Sequence, residues 1–152
     1  MSNQQQLELL KQGVDVWDAW RRKHPTVTPD LNEEDLSGLN LRGANLSRAN
    51  LSGANLKETN LNKADLRWSS LVGADLSGAR LIETNLTDAD LSGADLRRCD
   101  LSHADLSRAR LIDANLMESI LLHIVLDDTD LTGAYIKGAS IVPEKDEDEQ
   151  VG

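Results

Sequence analysis

The sequence predicts an all-β solenoid, a chain that winds in successive coils around one narrow core. Three regularities carry this expectation. From Leu31 to Ile141 every fifth residue is leucine, except Ile136 and Ile141, which makes 21 leucines and two isoleucines in 23 consecutive pentads. Two residues before the central one stands alanine in most pentads, as at Ala44, Ala49, Ala54, Ala64, Ala74, Ala89 and Ala94, with Ser, Thr or Cys99 as near-size substitutes. Asp or Asn usually precedes the leucine, and glycine often follows two places after it, as at Gly43, Gly53, Gly73, Gly78 and Gly93. Those are residues that turns select.

Neither regular structure can use a period of five. A helix turns about 100° per residue, so a five-residue step scatters the leucines around every side. In a straight strand an odd step throws successive leucines onto opposite faces. The chain must therefore turn within each pentad, and if it turns the same way each time the centre of the coil collects Leu56, Leu76, Leu81, Leu96, Leu116 and their equivalents as a core. The small residue faces a narrow lumen, and the remaining columns face water.

Three segments follow in order. Residues 1–28 have no pentad register and are expected to form an N-terminal helical cap and linker. Within them Leu7, Leu10, Val14 and Trp17 fall at helical spacing, with Leu9, Val16 and Trp20 widening the stripe, which predicts one helix over residues 4–23. Gly13 weakens that helix, and Pro25 and Pro29 close it. An uncovered solenoid end is an open sheet edge, so a cover for the first coil is expected here. Arg21, Arg22 and Lys23 leave a partner-binding or membrane-surface helix as the alternative. Residues 29–143 are the repeat. Residues 144–152, with five acids in nine positions, are expected to be a disordered, solubilising tail.

Composition narrows the function. The net charge is −10, from 26 acidic and 16 basic residues, so neither nucleic acid nor membrane is expected as a partner. A single cysteine allows no intrachain disulfide, no apolar run is long enough to span a bilayer, and the first residues lack the order of a secretory signal. A cytoplasmic protein is expected.

"LSGANLKETN", "LVGADLSGAR" and "LTDADLSGAD" resemble the pentapeptide repeat, commonly written A(D/N)LxX, over 115 of the 152 residues. The resemblance is to small cyanobacterial members of that family. It implies a right-handed β-helix of square cross-section, four pentads to a coil, and hence somewhat under six coils in a rod about 28 Å long. For many such proteins the family implies no known activity. Some similar proteins protect bacteria from quinolones by imitating DNA to engage DNA gyrase. This sequence differs from them: no loop interrupts its repeats, and the repeat segment mixes 18 acids with 11 bases.

With a 20-residue coil, Glu83, His103 and His123 stack in one column and are the candidate metal ligands, although a straight ladder does not surround a tetrahedral ion. Cys99 sits at an inward position and is expected to be an inert core thiol. Arg110 stands between Asp90 and Asp130, and Asp88 between Trp68 and Arg108, so charges tend to alternate along columns. No catalytic grouping or cofactor motif stands out, and an enzyme is not expected. The most irregular stretch, "LIDANLMESILLHIVLDD", places Ile112, Met117, Ile120, Leu122 and Val125 at outward positions. Such a patch suggests a contact surface for an unidentified protein partner or a weak homodimer. The expected function is a non-enzymatic protein-binding or structural scaffold.

Overall fold

In the computed structural model, which describes residues 1–145, the chain folds as a β-solenoid preceded by two short helices. Parallel bridges join residues 20 apart without interruption, from Asp30 to Asn50 through to Asn115 to Tyr135. Four pentads therefore make one turn of the coil. The register is held by hydrogen bonds between neighbouring coils: Leu81 N–H donates to Asp100 C=O at 2.7 Å, Glu83 N–H to Ser102 C=O at 2.9 Å, and Asp100 N–H back to Ala79 C=O at 3.2 Å.

From Leu31 to Ile136 every pentad except the one at Leu121 bends at a β-turn. In Leu41–Arg42–Gly43–Ala44 the Ala44 N–H donates to Leu41 C=O at 3.0 Å, and Gly43 has φ +72°. A positive φ at the third residue is the mark of a type II turn and explains why glycine recurs there. The same position holds Arg48, Trp68, His103 and other non-glycine residues at φ near +60°, a conformation that costs each roughly 1–2 kcal/mol. Asp and Asn offset part of that cost from the position before leucine. The Asp75 carboxylate, for instance, accepts from both the backbone N–H and the hydroxyl of Ser77, at 3.0 and 2.7 Å, as side-chain-capped turns do.

The leucines from Leu31 to Leu116 are buried, and the alanines of the small column with them. Where that column carries a hydroxyl, the polar atom is satisfied within the wall: Thr59 and Thr84 donate to Leu36 and Leu61 carbonyls at 2.9 and 2.8 Å. Cys99 does the same, its buried thiol donating to Leu76 C=O. Burial pushes that thiol up to about 12, so almost none of it is thiolate near neutrality. Native protein is expected to resist iodoacetamide at mildly alkaline pH and to label fully once unfolded; fast labelling of folded protein, followed by intact mass, would contradict the assignment.

The N-terminal stripe forms two helices, where the sequence suggested one. α1 spans Asn3–Lys11, with Ser2 and Gln5 forming a reciprocal capping box, and α2 spans Val14–Lys23. The break falls at Gly13, whose φ of +119° is closed to other residues. Leu7, Leu10, Trp17 and Trp20 are buried and join the solenoid core, and Val14 and Leu9 pack against it half-buried. Val16, expected in the stripe, is exposed because the break resets the face that α2 presents.

These helices also supply hydrogen bonds that a preceding coil would have made. Asn45 C=O accepts from the Trp17 indole at 2.7 Å and from Arg21 Nη1 at 3.1 Å, and Asn45 N–H donates to Asp18 at 2.9 Å. Ser47 C=O accepts from Arg21 Nη2, and Asp30 N–H donates to the Gln6 amide oxygen at 2.8 Å. The opposite end differs. Leu131, Ile136 and Ile141 keep the register but are exposed, since a central side chain is enclosed only when a coil or cover lies on both sides. The expected acidic tail falls largely outside the described residues, which end at Lys145. Among the described residues no helix is long and apolar enough to cross a membrane.

Candidate functional site

The coil changes character at Ile120. In the preceding coil the Asp100 carboxylate accepts from the Ser102 N–H and hydroxyl and folds that pentad into its turn. Ile120 stands directly above Asp100, and the bulky Ile124 takes the place in the small column that Ala104 holds one coil earlier. The pentad instead runs extended as β1, Ile120–Ile124, paired in parallel with β2, Ser140–Pro143. These are the two extended strands among the described residues; every other pairing is a single bridge.

Ile120 and Leu122 are 40% and 37% exposed on β1. Val125, which begins the following pentad, is half-buried, as are Ile112 and Met117 in the two pentads before β1. All five residues lie in one turn of the coil, but only Ile120 and Leu122 share a pentad. The surface extends in a direction the sequence reading did not follow. Val142 is in register with Leu122 on β2 and is exposed, and the 20-residue spacing from Leu122 is the signal that would have found it.

His103 and His123 do stack, with ring centroids 5.0 Å apart and planes inclined by 20°. They border a cleft of about 390 Å³ shared with Val142, Pro143, Glu144 and Lys145. Glu83 instead approaches Lys63, at 3.8 Å. Among the described residues no group of three or more His, Cys, Asp or Glu side chains is placed to hold a metal ion. Near-parallel imidazoles also direct their nitrogen lone pairs side by side, which a shared ion does not favour.

The charged columns are paired along and across the coils. Asp88 meets Arg108 at 3.0 Å, Asp90 meets Arg110 at 3.8 Å, and Lys57 meets Asp75 at 3.5 Å, while Arg67 and Arg97 fold back onto Asp65 and Asp95 at 2.8 and 2.7 Å. The Arg97 hydrogen bonds hold the Asp95 carboxyl below the usual carboxylate range. Exposed pairs of this kind contribute about 0–1 kcal/mol each. Where like charges do stack, as Asp75 beneath Asp95, each has its own cation, Lys57 and Arg97.

The chain is similar to HetL from the cyanobacterium Nostoc sp. strain PCC 7120, a pentapeptide repeat protein involved in heterocyst differentiation regulation, at 35% identity over 73% of this chain and 59% of HetL, with a TM-score of 0.43. It thus spans less than two thirds of HetL. A pentapeptide repeat protein from the Arabidopsis thaliana thylakoid lumen is 32% identical over 78% of this chain and 72% of its own, with a TM-score of 0.33. QnrB1, a plasmid-mediated fluoroquinolone resistance protein, is 18% identical over 74% of this chain and 67% of its own, with a TM-score of 0.33. A comparison with curated protein sequences finds no match. The profile described as "Pentapeptide repeats" matches in eight copies over residues 35–73, 59–98, 69–108 and 109–141, and with the unbroken 20-residue ladder this establishes that the chain belongs to the pentapeptide repeat family.

Proposed function

We propose that this protein is a non-enzymatic scaffold, a right-handed β-helix of square cross-section that presents an apolar surface to a second copy of itself or to another protein. Residues 29–143 form the rod, α1 and α2 within residues 1–28 act as its N-terminal cap, and residues 144–152 are an acidic extension. The observation that carries the reading is the exposed pair Ile120 and Leu122, continued by Val142 on the neighbouring strand, where the repeat elsewhere places mostly polar residues. Val125, Ile112 and Met117 widen it as half-buried neighbours. Apolar area on a rigid surface contributes roughly 25 cal/mol per Å² before association costs are subtracted, which suits a weak dimer or a specific partner.

Imitation of DNA is less well supported, because the paired columns interrupt any continuous negative track.

The double variant Ile120→Asn, Leu122→Ser restores residues the repeat commonly uses at these positions. It is expected to melt at nearly the wild-type temperature and to lose self-association in sedimentation velocity, or capture of the partner. Earlier melting with unchanged association would identify the two residues as part of the core and remove the site.

A further inference from the structure

Where α2 lies over the first coils, a cleft of about 610 Å³ opens beside the connection to the solenoid. Its walls carry Arg21, Arg22, Arg48, Arg67 and Trp68. Four guanidinium groups at one place are out of keeping with a chain of net charge −10. Two carboxylates stand close by and both are engaged: Asp18 accepts from Asn45 N–H, and Asp65 is held by Arg67. Among the described residues neither Arg22 nor Arg48 forms an ion pair, whereas Arg67, Arg97, Arg108 and Arg110 all do.

Arg21 is only 7% exposed. Its two terminal nitrogens donate to the Asn45 and Ser47 carbonyls, but its Nε is buried without a partner. Burial lowers its affinity for the proton although Asp18 and Asp65 oppose the shift. A buried cation served only by neutral carbonyls is poorly compensated.

Trp68 is the second anomaly. It is 50% exposed and stands at φ +58°, a turn position that elsewhere holds glycine or a polar residue. The solenoid gains no core packing from it. Its ring instead meets the guanidinium carbons of Arg48 and Arg67, each 5.3 Å from the ring centroid, contacts that orient both cations beside an apolar plate.

We propose that this cleft binds the acidic C-terminal run of a second copy of the chain, with carboxylates received by Arg48 and Arg22 and the intervening chain lying against Trp68. Guanidinium forks match carboxylates in geometry, and Trp and Arg are the side chains that most often dominate protein contacts. An open cleft flanked by an aromatic plate suits a segment of chain better than a compact inorganic anion. The site does not involve Ile120 or Leu122 and stands independently of the role given to them. The run Asp146, Glu147, Asp148 and Glu149 of that copy supplies the complementary charge.

The test is a fluorescence-anisotropy titration of the full chain with a labelled peptide of residues 144–152. Saturable binding that weakens as salt rises is expected. Arg48→Gln and Trp68→Gly should each weaken it about tenfold, with melting temperatures preserved, since glycine is at ease at φ +58°. No saturable binding, equal binding by both variants, or displacement by inorganic phosphate as effective as by unlabelled peptide would overturn the proposal. Neutralising residues 146–149 as amides in the full chain tests the occupant. Tighter binding of added peptide is expected, because the chain's own acidic run no longer competes, and unchanged binding would overturn the assignment to a second copy.

Discussion

Leu81→Asp is expected to abolish cooperative folding. Leu81 is fully buried in the middle of the rod, in a core of leucine and alanine whose nearby hydroxyl and thiol, Thr84 and Cys99, already donate to the Leu61 and Leu76 carbonyls. Placing a charge there costs several kcal/mol after relaxation, against a total stability that for domains is about 5–15 kcal/mol. The coils above and below are also lost, because each is stabilised chiefly by its neighbours. Circular dichroism and thermal melting read the result directly. Leu131→Asp provides the contrast: that side chain occupies the same register but is exposed in the last turn, and the variant should keep a sharp transition. Similar melting of the two variants would mean that register alone, without enclosure, decides the cost.

Trp17→Ala should be the most damaging single change outside the repeat. The indole is fully buried, belongs to the same core as Leu31 and Leu36, and donates to Asn45 C=O at 2.7 Å. Truncating a buried tryptophan costs about 3–5 kcal/mol, and Asn45 C=O is left with Arg21 Nη1 as its donor. Removing residues 1–24 goes further. It frees the Asn45, Ser47 and Asp30 backbone groups that Trp17, Arg21, Asp18 and Gln6 now satisfy, and it exposes the first layer of leucines. The truncated chain is expected to associate end to end as its concentration rises, measurable by sedimentation velocity. Val16→Ala, on the exposed side of α2, should change little. A truncated chain that stays monomeric and equally stable would make the helices an independent binding element.

The solenoid was legible because its cause is local and repeated. Each pentad carries its own turn residue, its own small inward residue and its own leucine, so 23 weak signals agree. Direction is encoded in that way, but enclosure is not: Leu131, Ile136 and Ile141 read like any other central residue, and only the stacking of coils distinguishes them. The two helices were misread as one because the apolar stripe runs through Gly13 without a change of phase. Whether a glycine stays helical or moves to φ +119° depends on the surface α2 must reach. The column joining Arg48 to Trp68 follows from the 20-residue period, and so does the pairing of Leu122 with Val142. Arg21 does not follow, since its position over Asn45 depends on how α2 crosses the coil.

The unequal ends set an order in time. Within the solenoid each coil bonds only to the coils next to it, through groups about 20 residues apart in the chain. The helices that bond to the first coils precede them in the chain, so a ribosome delivers the template before the segment that must copy it. At about 5–20 residues per second a coil takes roughly 1–4 s to emerge, far longer than the microseconds in which local turns form. Assembly can therefore keep pace with synthesis, each coil docking on a finished surface while the next is still being made. A fault near Leu36 would deprive every later coil of its template, whereas the same fault near Leu126 would leave most of the rod already built.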